Sequence, residues 1–258
     1  MRSDRARLDR IRSIAAPILF GVLALLLWQV VVVGFHLKPF IVPSPVSIAT
    51  QFGERFGVIL TASLITATNA LIGLVLGTIV GVVAAGIAAA LRVIDEISAP
   101  LVTAASVIPI VALAPVLYTM LGASVQTARV LIAALAVFIP VYVNTLRGLR
   151  SSKPIHRDLM RAYAATPWQV TRAVTLPGAL PFFFTGVRIA SSLAVISALV
   201  AEYFGGPIGG LGKSITSAAA SSNYPLAWAF VLGSIVTGLV FFCITLSLEV
   251  FATRHGSA

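Results

Sequence analysis

Long apolar runs constrain the fold of this chain more than any other feature of its sequence. Neither the run from Ile18 to Val33 nor the run from Ile59 to Leu91 contains a charged residue. A helix needs about 20 apolar residues to cross a bilayer, and neither run shows the alternation that strands of an outer-membrane barrel require. Composition agrees, because 59% of the residues are hydrophobic and only 10% are charged, against about 25% charged in soluble domains. The chain is therefore predicted to be an all-α integral membrane protein.

Breaks between the apolar runs predict about six transmembrane helices. They cover approximately residues 14–34, 71–91, 100–121, 128–146, 182–204 and 226–251. The apolar stretch that leads into the second helix exceeds one membrane thickness, so an interfacial helix is expected over 61–68. Pro109 and Pro115 predict kinks in the third helix. Three prolines between His36 and Ile48 exclude regular helix there, and this stretch is predicted to be a connection.

A ridge of small residues marks one face of the second span. Gly73, Gly77 and Gly81 recur every four residues, and glycine lets a neighbouring helix approach closely. We favour helix packing over solute contact as the role of this ridge.

The basic residues indicate which way the chain crosses the membrane. With a cytoplasmic amino terminus, 14 of the 18 lysines and arginines fall on or near the inner side, and the others are Lys38, Arg55, Arg129 and Lys213. The positive-inside rule therefore predicts that both termini are cytoplasmic. The net charge of +10 is then explained by basic residues on the inner face, which orient the chain in the membrane and take part in docking. No nucleic-acid partner is expected.

This orientation divides the chain into one domain with two short ends. Residues 1–13 are assigned to a basic cytoplasmic N-terminus, and residues 253–258 to a cytoplasmic tail. Residues 14–252 form a single transmembrane domain whose long polar loop, 147–177, lies in the cytoplasm.

The loop 147–177 is predicted to contain two short helices outside the membrane. Pro154 after Ser152, and Pro167 after Thr166, are typical helix starts, because proline suits the first turn. Leu176–Pro177 is predicted to end the second helix. Apolar side chains within the loop indicate docking against another protein: Leu159, Met160, Tyr163, Val170 and Val174.

The same loop has the spacing of a known motif, which reads Glu-Ala-Ala, three residues, Gly, nine residues, Ile, one residue and Leu-Pro. Asp158 stands for the glutamate, Ala164 for the glycine and Val174 for the isoleucine, ahead of Leu176–Pro177. Further stretches match in order along residues 14–252: Val42–Pro45, Ile108–Pro109, Ala112–Pro115, Asn144–Gly148, Gly186–Arg188, Ala201–Glu202 and Gly210–Gly212. Together they resemble the permease subunits of bacterial ATP-binding-cassette (ABC) importers, in the nitrate, sulfonate and taurine branch.

The resemblance implies the type I importer permease fold, with about six transmembrane helices and a coupling helix that sits in a groove of an ATP-binding subunit. Asp158 is then placed to pair with a basic residue of that subunit. Because Ala164 replaces the glycine, the turn is expected to use a conformation that alanine tolerates. The alternative is a solvated cytoplasmic hairpin. The residues assigned to ATPase coupling are Asp158, Leu159, Met160, Arg161, Tyr163, Ala164, Ala165, Thr166, Trp168, Gln169 and Val170.

The resemblance also implies a location in the bacterial inner membrane and a set of partners. These are a second permease copy or a paralogous permease, two ATP-binding subunits, a periplasmic or lipid-anchored substrate-binding protein, and membrane lipid. ATP and Mg are expected on the partner subunits and no cofactor on this chain, since Pro207 stands where a phosphate-binding loop ending at Lys213–Ser214 needs glycine. The alternative is a secondary transporter or channel that works without an ATPase.

The imported solute is left open between small oxyanions or sulfonates and riboflavin-like or pyrimidine-precursor-like rings. The run from Glu202 to Gly206 favours the rings, by resemblance. A negative Glu202 near the outer mouth is also a mild argument against a path dedicated to anions.

Two ionisable residues in the fifth span are functional candidates, because a charge at membrane depth is costly unless it is paired or hydrated. Arg188 and Glu202 are fourteen residues apart, about 320° around a helix. They share a stripe with Ser191, Ser192, Val195 and Leu199. One hypothesis is that this stripe faces the translocation pathway or the partner permease, with Glu202 shaping an outer gate. The other is an interhelical pair that only holds the bundle together, and Glu249 is predicted to pair with Arg254.

Neither metal binding nor thiol chemistry is expected. Cys243 is the single cysteine and lies in an apolar run, which excludes an intramolecular disulfide. His36, His156 and His255 are scattered, and no pair has metal-ligand spacing.

Overall fold

The computed structural model describes residues 2–122, 125–152 and 154–254, and their regular elements are all helices. In chain order these are α1 (Arg2–Gly34), α2 (Pro45–Glu54), α3 (Phe56–Ala90), α4 (Arg92–Val107), α5 (Ile110–Leu121), α6 (Thr127–Arg150), α7 (Pro154–Ala162), α8 (Pro167–Val170), α9 (Leu176–Phe204), α10 (Leu211–Ala220) and α11 (Tyr224–Arg254). A π-helical turn over Thr171–Thr175 joins α8 to α9. Lys153 of the predicted loop, residues 255–258 of the predicted tail, and the side chains of residues 2–14 and 254 lie outside the described part.

Five helices in the described part are long and apolar enough to cross a membrane: Ala15–Gly34, Phe56–Ala90, Thr127–Arg150, Pro167–Phe204 and Tyr224–Thr253. A sixth crossing is obtained if α4 and α5, which are bent by 100° at their break, form one span. The predicted number of about six is confirmed on that basis. The break falls at Ile108–Pro109, where both residues have extended backbone, because proline disfavours helix at the residue before it.

Two predictions about helix boundaries near the first and second spans are wrong. The interfacial helix over 61–68 does not exist separately, because α3 continues for 35 residues, about 52 Å at 1.5 Å per residue. Its sequence contains no proline to interrupt it. The stretch predicted to be a connection up to Ile48 already turns helical at Pro45. Ser44 caps α2 by accepting a hydrogen bond from the Ser47 amide at 3.1 Å, and proline is favourable in the first turn.

The prediction that Leu176–Pro177 ends the second loop helix is also wrong. Residues Pro167–Phe204 form one continuous helical segment. Proline has no N–H to donate to the carbonyl four residues earlier, as an α-helix requires. The π-helical turn directly before Leu176 changes which carbonyls accept hydrogen bonds, and this explains why Pro177 is tolerated.

The described residues divide into two compact units, 1–59 with 215–232 and 60–214 with 233–258. In the first unit, the rings of Trp28 and Trp228 meet edge to face with centroids 5.9 Å apart. In the second unit, α6 and α9 pack along each other around Val137, Val141 and the alanines of α9.

The glycine ridge of α3 packs directly on α6. A Cβ atom built on Gly77 would lie 2.7 Å from the Cβ of Val137, and one built on Gly81 would lie 3.1 Å from a methyl carbon of Val141. The close approach leaves no space for a side chain, which supports the packing role predicted for this ridge.

Candidate functional site

The predicted docking segment contains two short helices with a turn between them, and its large side chains point into solvent. Tyr163 is 75% exposed and Trp168 is 67% exposed. Leu159 and Ile155 on α7 are exposed as well. Exposed aromatic and aliphatic side chains so close together are typical of a surface that a partner covers.

A capping box fixes the second helix of this segment at its predicted start. The Thr166 hydroxyl accepts a hydrogen bond from the Gln169 amide at 3.4 Å, and the Gln169 side chain accepts one from the Thr166 amide at 2.7 Å. These bonds satisfy two amides that would otherwise lack partners at a helix start. The segment therefore holds the start of α8 without help from another chain.

The turn between α7 and α8 corrects the expectation about Ala164. This residue has a φ of +52°, in the left-handed region where a Cβ atom costs about 1–2 kcal/mol. The motif glycine would adopt that conformation without strain, so the substitution is accommodated by strain and not by a different turn.

Asp158 lies on the exposed side of α7 with a nearby partner of its own. Its carboxylate is 3.3 Å from Nη1 of Arg161, one turn further along, and both side chains are mostly exposed. Such a pair contributes little in water, so Asp158 is free to exchange Arg161 for a stronger cationic partner.

Two short polar contacts join α4 to the end of α6, just before the docking segment. Nη2 of Arg150 lies 2.6 Å from Oδ1 of Asp95, and the hydroxyls of Ser98 and Tyr142 are 2.6 Å apart. A cavity of about 570 Å³ lies beside them between α4, α6 and α9. Its walls are mainly apolar, with Arg147 and Arg150 among the polar lining residues.

The stripe predicted on α9 does not form one exposed surface. Ser191, Val195 and Glu202 are buried within the chain, while Ser192 and Leu199 are half-buried. The Ser191 hydroxyl lies 3.0 Å from that of Thr245 on α11. In this conformation the buried members hold helices together and have no access to a solute.

Arg188, the first residue of the stripe along the chain, pairs with α11. Its Nε is 3.0 Å from Oε2 of Glu249, and the Thr185 hydroxyl donates to the other oxygen of that carboxylate at 2.7 Å. The predicted Glu249–Arg254 pair involves a side chain outside the described residues. The contact with Arg188 was not predicted.

Glu202, near the C-terminal end of α9, is the centre of a buried polar network. Its side chain is 0% exposed. The Thr66 hydroxyl donates to its carboxylate at 2.9 and 3.0 Å, and the Gly212 amide donates at 2.8 Å. The Leu211 amide in turn donates to Thr66 at 2.8 Å. Because Leu211 and Gly212 begin α10, the carboxylate and the hydroxyl cap that helix where its amides lack internal partners.

Arg129 completes this network from the start of α6. It is also 0% exposed, and its Nη1 lies 4.0 Å from Oε1 of Glu202. Its guanidinium donates to three backbone carbonyls, those of Gly205 at 3.1 Å, Pro207 at 2.7 Å and Gly209 at 3.5 Å. A buried charge is tolerated only with such partners. Glu202, predicted to shape an outer gate, is thus buried in this conformation and fits the alternative of an interhelical pair, so its charge offers no argument about anions.

Glycine is required where the connection 205–210 wraps around these two charges. Gly206 and Gly210 have φ values of +96° and +91°. A Cβ atom on Gly206 would lie 2.7 Å from Cζ of Arg129, and one on Gly210 would lie 2.5 Å from Cδ of Glu202. The glycine-rich run is thus a close-packed cover over an ion pair.

Sequence reasoning missed Arg129 and Thr66 as members of this site. Arg129 counted only as one of the basic residues on the outer side. The sequence did contain a feature that indicates a buried role for Arg129, because it is the only charged residue between Glu96 and Arg147. A lone charge within apolar spans calls for a buried counter-charge, and Glu202 was the candidate already identified.

The family described as "Binding-protein-dependent transport system inner membrane component" matches residues 73–255 of this chain. The riboflavin transport system permease protein RibX of Chloroflexus aurantiacus is 36% identical over 209 residues, which cover 79% of this chain and 76% of RibX. The formylaminopyrimidine transport permease protein ThiX of Halalkalibacterium halodurans is 31% identical over 193 residues, covering 73% of this chain and 75% of ThiX. Permeases named for aliphatic sulfonates and taurine also match.

The fold has counterparts among solved structures. One chain of an amino acid ABC transporter crystallised with histidines superposes with a TM-score of 0.61, covering 79% of this chain and 95% of the other. Its sequence is only 13% identical, so this likeness concerns the fold alone.

Proposed function

This chain belongs to the family of binding-protein-dependent transport system inner membrane components, and from that premise we propose how it works in an importer. It is a multi-pass inner membrane permease subunit of an ABC importer. We propose that two permeases, either two copies of this chain or this chain and a paralogue, form the pathway between them. Two ATP-binding subunits dock on the cytoplasmic side, and a periplasmic or lipid-anchored binding protein delivers the solute from outside. ATP and Mg bind to the ATP-binding subunits.

The single observation that carries this proposal is the docking segment between α6 and α9. Its apolar side chains are exposed although the helix start at Thr166 is already satisfied by Gln169. A solvated hairpin gains nothing from exposing Tyr163 and Trp168, whereas an interface favours aromatic anchors. We therefore assign the eleven residues from Asp158 to Val170 named above to contact with the ATP-binding subunit.

The helix is continuous from Pro167 to Phe204, and this supports a mechanism that couples the ATP-binding subunits to the permease. When ATP closes the ATPase dimer, the two coupling segments are drawn together. A push on α8 passes through the π-helical turn into α9, since Pro167–Phe204 is one helical segment. The permease pair then changes from an inward-facing to an outward-facing state and resets after hydrolysis.

The orientation rests on the distribution of basic residues. Arg147 and Arg150 end α6 beside the docking segment, and the positive-inside rule assigns that end to the cytoplasm. Arg129 is one of the four exceptions, and its burial explains it, because its charge is paired with Glu202 and not displayed at the surface.

We propose that the solute is a small ring compound of the riboflavin or pyrimidine-precursor type. Support comes from two relatives, each more than 30% identical, that are named for the transport of riboflavin and of formylaminopyrimidine. The mainly apolar cavity beside Phe182 is a suitable exit for such a ring. Of the predicted stripe, Arg188, Ser192 and Leu199 keep partial exposure and stay our candidates for the pathway.

Co-purification tests the proposal. The tagged chain, gently solubilised from its native membrane, is expected to bring down an ATP-binding subunit. Trp168→Ala is expected to reduce this recovery at least tenfold, while the control Phe40→Ala, an exposed aromatic residue outside the segment, leaves it unchanged. If no ATP-binding subunit is ever recovered, or if the chain transports solute alone, a secondary transporter or channel is the better assignment.

A further inference from the structure

A second cavity, of about 480 Å³, is bordered by α3, α4 and α6. Its described lining side chains, which include Leu101 and Phe138, are apolar apart from two hydroxyls. Those hydroxyls, of Ser98 and Tyr142, are 2.6 Å apart and bond to each other, so they offer little to a polar ligand. We call this space the apolar cavity. Its size is in the range of sites that hold small molecules, and its lining suits a hydrocarbon chain.

The apolar cavity adjoins the cavity of about 570 Å³ described above. Val102 and Tyr142 line both of them, so the two spaces flank the contact between α4 and α6. None of the side chains of α4 is buried, so this helix packs loosely on its neighbours in the chain. The structure thus leaves room for an occupant along the α4–α6 contact.

The larger cavity carries an excess of positive charge at the end of α6. Arg147 and Arg150 line it, and Asp95 is the only acidic residue in its described lining. Asp95 is bound to Nη2 of Arg150 at 2.6 Å, and a guanidinium has further N–H donors. Arg147 is exposed and forms no ion pair within the described part of the chain. Both guanidiniums are therefore available as donors to an anion.

The spacing along α6 matches a lipid that lies in one leaflet. From Phe138 to Arg150 the helix rises by about 18 Å, at 1.5 Å per residue, against about 15 Å for half of the hydrocarbon core. The distribution of basic residues assigns this end of α6 to the cytoplasmic side, and anionic lipids are abundant in the cytoplasmic leaflet. Basic pockets between transmembrane helices on that side bind anionic headgroups.

We propose that an anionic phospholipid of the inner leaflet binds along the α4–α6 contact, with its phosphate on Arg147 and Arg150 and one acyl chain in the apolar cavity. This inference rests on the proposed function only for the side of the membrane that Arg147 faces. A neutral ring or an apolar helix of a second permease would leave the two arginines without a counter-charge. Phe182, beside which the solute exit is proposed, does not line the apolar cavity, so the acyl chain does not occupy that exit.

Native mass spectrometry of the full chain in a mild detergent tests the proposal. The chain is titrated with phosphatidylglycerol, which is anionic, and separately with phosphatidylcholine, which has the same phosphate but no net charge. Phosphatidylglycerol is expected to bind at least tenfold more tightly. Arg147→Gln is expected to weaken that binding at least tenfold, whereas the control Arg157→Gln, an exposed arginine that lines neither cavity, changes it less than twofold. Equal affinity for the two lipids, or equal losses in the two variants, would overturn the proposal.

A second pair of variants tests the place of the acyl chain. Ala105 lines the apolar cavity, and Ala104, the residue before it, does not. Ala105→Phe is expected to weaken binding of phosphatidylglycerol at least tenfold, and Ala104→Phe less than twofold. Ala105→Leu, a smaller replacement, takes the place of Ala105→Phe if that variant does not fold. Equal effects at the two positions, or displacement of the lipid by inorganic phosphate, would show that only a phosphate is recognised and would contradict the lipid site.

These measurements need no ATP-binding subunit. Failure to recover that subunit with the unsubstituted chain therefore contradicts the proposed function alone, whereas the lipid titrations decide the lipid site.

Discussion

The guanidinium of Arg129 lies 4.0 Å from the carboxylate of Glu202, and neither side chain has any exposed surface. The pair joins the N-terminal end of α6 to the C-terminal end of α9. The first turn of α10 is capped at the same place, because the Gly212 amide donates to Glu202 and the Leu211 amide donates to Thr66. Glu202, which the sequence placed at an outer gate, and Arg129, which it counted only as a basic residue, thus stabilise the structure around a loop.

Removing one member of this pair is expected to destabilise the chain by about 3–5 kcal/mol, because the other charge stays buried without a counter-charge. Glu202→Gln and Arg129→Met should each lower the unfolding temperature in detergent, measured by loss of tertiary signal. The double variant should lose less than the sum of the two. Glu96→Gln, in the exposed Arg92–Glu96 pair, is the control and should change little. Strictly additive losses would show that the two charges do not interact.

Charge reversal at Asp158 is expected to uncouple ATP hydrolysis from uptake. Asp158→Lys places a positive charge where a basic residue of the ATP-binding subunit is proposed to pair, and like charges repel across an interface. Uptake in cells should fall at least tenfold while the amount of permease in the membrane is unchanged. Glu96→Lys is a matched control, since Glu96 also sits in an exposed pair within one helix. Normal uptake by Asp158→Lys would count strongly against this docking surface.

The turn at Ala164 offers a stabilising substitution. Ala164→Gly should raise the free energy of unfolding by about 1 kcal/mol, because its φ of +52° is strained for alanine and not for glycine. Thermal or denaturant unfolding of the purified permease measures the change. Ala165→Gly, at the next residue, has no such strain to relieve and should be neutral or destabilising. Equal effects at the two positions would rule out backbone strain as the cause.

The Arg150–Asp95 contact is expected to matter more for transport than for stability. Its side chains are partly exposed, at 48% and 24%, and such pairs contribute only about 0–1 kcal/mol. It nevertheless links α4 to the helix end that leads into the docking segment. Asp95→Arg should lower uptake while leaving the unfolding temperature within about 2 °C, roughly what 1 kcal/mol produces in a chain of this size. The double variant Asp95→Arg with Arg150→Asp, which exchanges the two charges, should restore uptake. If it does not, the pair is not the link between α4 and the docking segment.

Two glycines of the same helix distinguish close packing from helix propensity. Gly77→Ala would bring a Cβ atom to 2.7 Å from Val137 and should separate α3 from α6, whereas Gly86 has nothing within 4 Å of such an atom. We expect Gly77→Ala to lower the unfolding temperature clearly. Gly86→Ala should be neutral or stabilising by up to about 1 kcal/mol, because alanine favours helix. Similar behaviour of the two variants would contradict the packing of α3 on α6.

Structural features that depend only on residues close together in the sequence were predictable from the sequence. Continuous apolar stretches predicted the spans, because a helix at membrane depth must satisfy its backbone internally and present apolar side chains outward. Thr166 followed by Pro167 predicted the start of α8, since a helix start is determined by residues within one turn. The errors at Pro45 and Pro177 arose where proline was treated as a helix breaker, although Pro45 stands in a first turn and Pro177 follows a π-helical turn.

Only the tertiary structure decided what the charged residues within the spans do. A period of 3.6 residues places Arg188 and Glu202 on one stripe, but it does not say which helices cover that stripe. Thr66 is 136 positions from Glu202, and no local rule relates them. The sequence by itself determined a helical membrane protein with one long polar loop that contains two short helices. Packing determined that Glu202 and Arg129 are buried against each other, because the cost of an unpaired charge at membrane depth depends on the whole set of groups that surround it.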